Sequence, residues 1–182
     1  MLDEDDDQQI VETFARFGRA IYMANVVEVG LAQTLMQIEF LTPAREKFIA
    51  EKGKDFDQAA FDADFTAFMA KQFSKTMGQL KQRVAEVSNF DEALRKRIID
   101  ATERRNFLAH HYWRESAEQF MTEDGRAKMI EELTKDAEVF EQLDKDIRSA
   151  TKPVRERLGI KEALLNEGVE EQLGQLLTKL KQ

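Results

Sequence analysis

The scarcity of residues that interrupt helices constrains the fold of this chain more than any other feature of its sequence. Only eight glycines and two prolines occur in 182 residues, so long segments contain nothing that breaks a helix. Strong helix formers recur throughout, and apolar residues return every three or four positions. This pattern predicts an all-α protein. A hydrophobic fraction of 42% is sufficient for one domain spanning residues 1–182.

The first long helix is predicted to run from Asp7 to Phe40, after an acidic segment, residues 1–7, that we expect to fray. Glu28 interrupts its apolar seam. A carboxylate at a core position needs a partner, so we expect Glu28 to face an arginine, a histidine or another chain, unless a small change of register places it at the edge of the seam. The predicted seam comprises Ile10, Phe14, Phe17, Ile21, Ala24, Glu28, Leu31, Leu35 and Ile38.

Capping residues predict where the middle helices begin. Thr42-Pro43 predicts an N-cap and first turn for a short helix over residues 43–51, followed by a loop around Gly53. A second long helix should end near Ser88. Asn89, with Glu92 three residues later, has the form of a capping box that begins a third helix. The apolar positions of the second helix are Phe61, Phe65, Phe68, Phe73, Met77, Leu80, Val84 and Val87.

Thr122 is predicted to cap a fourth long helix, which Pro153 should end or kink near Thr151. Gly159 then separates this helix from a last amphipathic helix. Together these segments predict an antiparallel bundle of four to five helices. The seam of the fourth helix comprises Ile130, Leu133, Ala137, Phe140 and Ile147, and the last helix carries Leu164, Val169, Leu173, Leu176, Leu177 and Leu180.

The distribution of charge bears on the class of partner. The net charge of −8 argues against wrapping of nucleic acid, because that binding depends on Lys and Arg at phosphates. Residues 71–105, however, carry nine Lys and Arg against five Asp and Glu, a net +4 that runs directly into Arg105. This segment is consistent with a basic approach to one site, and equally with a solvated helix face.

The sequence lacks the residues that usually indicate disulfides, metal sites, a membrane span or a nucleotide-binding loop. There is no cysteine, so disulfides and thiolate metal sites are excluded. The acidic start and the lack of a long apolar run predict a cytoplasmic protein without a membrane span. No Glu stands three residues before either histidine, as a carboxylate-bridged di-iron bundle would require. We also find no phosphate-binding glycine loop and no nucleophile elbow, and we expect no cofactor or metal.

The third helix carries both histidines, in the segment Arg104 to Trp113. Arginine offers a planar, permanent positive charge to phosphoryl oxygens, and histidine can accept and donate a proton near neutral pH. On a straight helix Arg105 lies among apolar positions, whereas Asn106 and His110 project together from another face. Arg105 and His110 can therefore converge only if the helix kinks or if a second copy of the chain contributes.

The six residues from Arg105 through Asn106 to His110 resemble the signature of the HEPN superfamily, in which an arginine, a polar residue, three further residues and a histidine lie on one helix of a four- to five-helix bundle. The resemblance implies a metal-independent endoribonuclease, often a toxin or phage-defence effector, whose two motifs meet across a homodimer. It also allows an antitoxin or nucleotidyltransferase partner. Many superfamily members are instead non-catalytic binding modules for RNA or protein.

The resemblance assigns roles to individual residues. His110 would take the proton from a ribose 2′-hydroxyl, and Arg105 would stabilise the charge that builds on the phosphoryl oxygens. Asn106 would orient His110 or hold phosphate. Glu28 is not part of the motif, but its position in the apolar seam allows it to pair with Arg105 inside the bundle, which predicts a loss of about 3–5 kcal/mol for Glu28→Ala. In the alternative without catalysis, Arg105 and Glu28 form a purely structural ion pair. Secondary candidates are Arg104, His111 and Tyr112.

Overall fold

The computed structural model describes residues 4–51 and 56–160, and these contain helices joined by short turns and no strand. The predicted loop at Gly53 and the predicted last helix after Gly159 lie outside the described residues. The described helices are α1 (Glu4–Leu35), a π-helical turn (Met36–Leu41), α2 (Thr42–Ala50), α3 (Gln58–Phe73), α4 (Met77–Val87), α5 (Glu92–His110), α6 (Tyr112–Glu115), α7 (Ala117–Phe120) and α8 (Glu123–Leu158).

The two longest helices, α1 and α8, pack side by side and run parallel. Contacts between them advance together along both helices: Gln9 with Arg126, Arg19 with Glu141, and Gly30 beside Asp144. Helix α5 runs opposite to both, because Arg97 pairs with Asp146 and Arg104 with Asp136. The all-α prediction is confirmed, but the arrangement is not purely antiparallel. Neither helix of this pair, nor any other described helix, has the length and apolar character needed to cross a bilayer.

The core lies between α1, α4, α5 and α8. On α1 the buried face is rotated from the predicted seam, so that Phe14 remains 52% exposed and Glu28 is only partly buried at the edge. Of the predicted seam, Ala24, Leu31 and Leu35 are fully buried, as predicted. Ala20, which lay outside that seam, is also fully buried, because small side chains permit close packing of the long helices. The buried apolar set includes Val27, Leu31, Leu35, Met77, Leu80, Val84, Leu94, Ile98, Leu108, Tyr112, Met129, Leu133, Phe140, Leu143 and Ile147.

Helix α1 begins at Glu4, earlier than the predicted Asp7, and ends at Leu35, before the predicted Phe40. Thr42 does not act as the predicted N-cap. Its hydroxyl and its backbone N–H both bind the carbonyl of Gln37, so a widened π-helical turn carries the chain into α2 and accommodates Pro43 in the first turn.

The predicted second long helix is in fact two helices. Helix α3 ends at Phe73, and Thr76 starts α4 through a capping box with Gln79. The cap of α5 is Asp91 rather than Asn89, because the Asp91 carboxylate accepts a hydrogen bond from the backbone N–H of Leu94 at 2.7 Å. In both cases a side chain with suitable backbone angles satisfies the free N–H groups of the helix start.

Helix α8 begins as predicted, with the Thr122 hydroxyl accepting a hydrogen bond from the N–H of Gly125 at 3.1 Å. Pro153 does not end it, and the helix continues to Leu158. The turns around the proline are tied together, since the Thr151 hydroxyl donates to the Ile147 carbonyl and accepts from Arg155. Gly159 terminates α8 with a φ of 78°, the left-handed conformation that glycine adopts readily.

Candidate active site at the end of helix α5

The motif occupies the last two turns of α5, directly above an aromatic cluster. Tyr112 and Trp113 follow the helix end and pack against Phe17, at ring-centre distances of 5.7 and 5.0 Å. Phe14 and Phe120 close the cluster against Trp113 at 4.9 and 5.6 Å. These contacts join the segment that follows α5 to α1 and α7, so the aromatic cluster fixes the end of the helix that carries the motif.

Arg105 is held at the edge of the core by two neighbours. Its Nη2 lies 3.5 Å from the Oε2 of Glu28, with 28% and 24% of the two side chains exposed. Its Nη1 lies 3.4 Å from the Oδ1 of Asn106. The predicted pairing of Glu28 with Arg105 is therefore present, but the pair is half-buried rather than enclosed. Both contacts are long, so the guanidinium keeps donor capacity for a phosphate.

His110 is the last residue of α5, and its side chain is exposed. Within the described part of the chain its imidazole makes a ring contact with His111 at 6.3 Å between centres and no hydrogen bond. Both ring nitrogens are therefore available for proton transfer. Helix α5 is continuous from Glu92 to His110, so no break in the helix brings Arg105 and His110 together. A second copy of the chain is the other predicted route to convergence.

Arg104 has a different environment from Arg105. Its guanidinium binds both carboxylate oxygens of Asp136 at 2.6–2.9 Å and also contacts Glu132. It lies over the rings of Phe107 and Tyr112, 5.0 and 5.9 Å from their centres. Burial lowers the pKa of Arg104, but the two carboxylates outweigh that effect and raise it overall. Arg104 thus joins α5 to α8. The spacing of residues in the sequence does not predict this contact.

The side chains of the other two secondary candidates, His111 and Tyr112, also contact or pack against neighbouring residues. The Nδ1 of His111 is 2.9 Å from the Nη2 of Arg114, and since arginine can only donate, that nitrogen is the acceptor. Tyr112 is buried, and burial together with the nearby Glu132 raises the pKa of its hydroxyl far above the usual range. Among the described residues that hydroxyl has no hydrogen bond of normal geometry, although the nearby Ser116 side chain lowers its pKa slightly against these larger effects. Tyr112 therefore contributes packing at this position, out of reach of a solvent-borne substrate.

The basic segment over residues 71–105 is largely neutralised. Five of its nine cations pair with carboxylates, and two more donate to neutral oxygens, Lys75 to Gln72 and Arg95 to the Ser88 carbonyl. Only Lys71 and Lys81 lack a partner in the described chain. The paired cations are Arg83, Lys96, Arg97, Arg104 and Arg105. The solvated helix face explains this segment better than a basic channel does.

The exposure of the Glu28–Arg105 pair sets its expected contribution to stability. Because the pair is partly solvated and 3.5 Å apart, we expect Glu28→Ala to lower the free energy of unfolding by about 1 kcal/mol, not the 3–5 kcal/mol of an enclosed pair. Chemical denaturation measures the change. Glu12→Ala, which removes another half-exposed pair on α1, is the matched control. A loss above about 3 kcal/mol for Glu28→Ala would contradict the half-buried environment.

One copy of the site supplies one free imidazole and one partly free guanidinium. Among the described residues, no three His, Asp or Glu side chains are grouped so that they could hold a metal ion. The chemistry open to the described groups is proton transfer by His110 and anion stabilisation by Arg105. Comparisons of this chain with protein-family models, with curated proteins and with solved structures returned no match. The function of the protein is therefore inferred from the residues of this chain alone.

Proposed function

We propose that this protein is a metal-independent endoribonuclease of HEPN type that acts as a homodimer through Arg105 and His110. One observation carries the proposal. An exposed imidazole, without a hydrogen-bond partner among the described residues, lies five residues beyond an arginine that Glu28 and Asn106 contact at the edge of the core. A scaffold gains little from leaving both groups accessible, whereas phosphodiester cleavage needs a proton acceptor beside a fixed cation.

The reaction follows from the chemistry of the two side chains. His110 of one copy takes the proton from a ribose 2′-hydroxyl, and the 2′-oxygen forms a bond to the adjacent phosphorus. The bond from phosphorus to the 5′-oxygen breaks, and His110 of the second copy donates a proton to that oxygen. Arg105 stabilises the charge on the phosphoryl oxygens, a contribution of about 3–4 kcal/mol per contact in comparable sites. The products end in a 2′,3′-cyclic phosphate and a 5′-hydroxyl.

This mechanism requires two copies of the motif in one site, because one chain supplies a single free motif histidine. We therefore expect a symmetric dimer at micromolar concentration. Light scattering across a dilution series measures the mass directly. A strict monomer throughout that range contradicts the composite site, since neither a second proton carrier nor a second arginine would be present.

The direct test of function is incubation of the purified full-length chain with single-stranded RNA in EDTA, followed by analysis of the RNA ends. Cleavage that leaves 2′,3′-cyclic phosphates supports the proposal. A non-catalytic binding module is the second candidate, and the neutralisation of the 71–105 segment favours it, because few unpaired cations remain to attract a polyanion. Under that alternative the RNA stays intact in every buffer.

A further inference from the structure

A pocket of about 410 Å³ lies between α4 and α5, and its volume falls within the range of sites that enclose a small ligand. Its inner wall belongs to the hydrophobic core, because Val84, Phe90 and Ile98 line it and all three are buried. Ile99 also lines it and is 42% exposed, so the pocket opens to solvent on that side. A wall of this kind favours a ligand with an apolar body.

Two cations line the same pocket, Lys81 from α4 and Arg95 from α5. None of the described residues that line it is an Asp or a Glu, although the whole chain carries 35 acidic residues against 27 Lys and Arg. Five other cations of the 71–105 segment pair with carboxylates. Neither Lys81 nor Arg95 has a carboxylate partner within residues 4–51 and 56–160. The pocket therefore presents positive charge that its own lining does not balance.

The guanidinium of Arg95 is held in a position where it can bind an anion. Its Nη2 donates to the backbone carbonyl of Ser88 at 3.1 Å, and the N–H of Ser88 closes the last turn of α4 on the carbonyl of Val84. Arg95 is thus tied to the end of α4. An arginine presents several N–H donors in one planar fork, so most of them remain for a ligand, and the fork matches the oxygens of a carboxylate or a phosphate. Lys81 adds a second positive charge from the other helix.

We propose that this pocket binds a small amphipathic anion, an alkyl tail of medium length that ends in a carboxylate or a phosphate. The tail packs against Phe90 and Ile98, and the head group binds Lys81 and Arg95. Both parts are needed, because an uncharged apolar molecule leaves the two cations without a partner and a fully polar anion leaves the apolar wall in water. No residue from Arg105 to His110 lines the pocket, so the proposal does not depend on RNA cleavage.

Isothermal titration calorimetry of the full-length protein tests the proposal, with each probe kept below the concentration at which it forms micelles. Decanoate and decyl phosphate carry both parts of the ligand, whereas decanol lacks the charge and acetate lacks the tail. We expect the decyl anions to bind at least about tenfold more tightly than decanol or acetate. Octanoate should bind about tenfold more weakly than decanoate, because each methylene that leaves water contributes about fourfold in Kd. The tighter of the two decyl anions identifies the head group.

Variants of the lining test where the anion binds. Lys81→Gln should raise the Kd of the tighter decyl anion about tenfold, the scale of one hydrogen bond to a charged group. Lys71→Gln is the matched control, because Lys71 also lacks a partner in the described chain but does not line the pocket. Ile99→Asp places a carboxylate in the wall and should abolish binding. Its control is Val139→Asp on α8, which is 57% exposed and lies outside the pocket.

Four outcomes would overturn the proposal. Neither decyl anion binds, or decanol binds as tightly as decanoate, which removes the role of the two cations. Each pocket variant binds the anion as its control does, which places the ligand elsewhere on the protein. Single-stranded RNA binds and Lys81→Gln weakens that binding, while neither decyl anion binds, which assigns the pocket to nucleic acid. Circular dichroism of Ile99→Asp and Val139→Asp establishes that both variants are folded before their affinities are compared.

Discussion

Purified protein is expected to cut single-stranded RNA in EDTA, and His110→Ala is expected to abolish the cut. The proposed attack uses the 2′-hydroxyl of the substrate and needs a proton acceptor but no metal. His110 is the motif histidine, and neither of its ring nitrogens forms a hydrogen bond within residues 4–51 and 56–160. Electrophoresis of end-labelled RNA measures the rate, and treatment of the products with acid or phosphatase identifies the cyclic phosphate ends.

Two further variants test whether the loss of cleavage is specific to the proposed roles of Arg105 and His110. Arg105→Ala should slow cleavage by at least about a hundredfold, the usual cost of removing a group that stabilises an oxyanion. His111→Ala should have much less effect, because the Nδ1 of His111 already accepts a hydrogen bond from Arg114. Both histidines are exposed, so neither alanine variant should alter thermal unfolding. Loss of activity can then be assigned to chemistry rather than to the fold.

The other possible outcomes of this experiment would contradict the mechanism or favour the alternative function. Cleavage that requires added magnesium, or that survives His110→Ala, contradicts the mechanism. Intact RNA in every condition favours the binding module, in which Arg105 and Glu28 serve as a structural pair. A protein that cleaves as a monomer would contradict the composite site while leaving the role of His110 open to the same variant test.

The parts of the structure that the sequence predicts are those set by local chemistry. The Thr122 cap follows from a short polar side chain ahead of a helical pattern. The Glu28–Arg105 contact was also predictable, because a carboxylate in an apolar seam needs a cation and Arg105 stood in the same situation on another helix. In both cases one residue violates its local pattern, and only a few partners can compensate.

The parts that the sequence does not predict depend on tertiary contacts. Periodicity defines which face of a helix is buried but not which helix covers it, so the parallel pairing of α1 with α8 was missed. Arg104 resembled Arg105 in the sequence, yet the carboxylates of Glu132 and Asp136 hold it. Pro153 lies inside α8 because the side chains of Thr151 and Arg155 join the turns on either side of it.

A buried glycine at the start of α8 leads to the largest expected change in stability. Gly125 lies in the first turn of α8, and a Cβ at this position would be 1.9 Å from the backbone oxygen of Gln119 and 2.6 Å from its carbonyl carbon. Backbone atoms cannot rotate away as the end of a side chain can. Gly125→Ala should therefore displace α7 and lower the free energy of unfolding by about 3 kcal/mol, the upper end of typical overpacking costs.

Gly18→Ala is the matched control, since Gly18 lies in helix α1 and nothing stands within 4 Å of its added Cβ. That change should stabilise the protein by up to about 1 kcal/mol, the helix propensity difference between the two residues. The fluorescence of Trp113, the only tryptophan, reports the displacement of α7, because its ring packs on Phe120 of that helix. An unchanged emission spectrum together with unchanged stability in Gly125→Ala would contradict the close contact of α7 with α8. A shifted emission spectrum together with a large loss of unfolding free energy would show that this glycine maintains the aromatic cluster at the end of α5, the helix that carries Arg105 and His110.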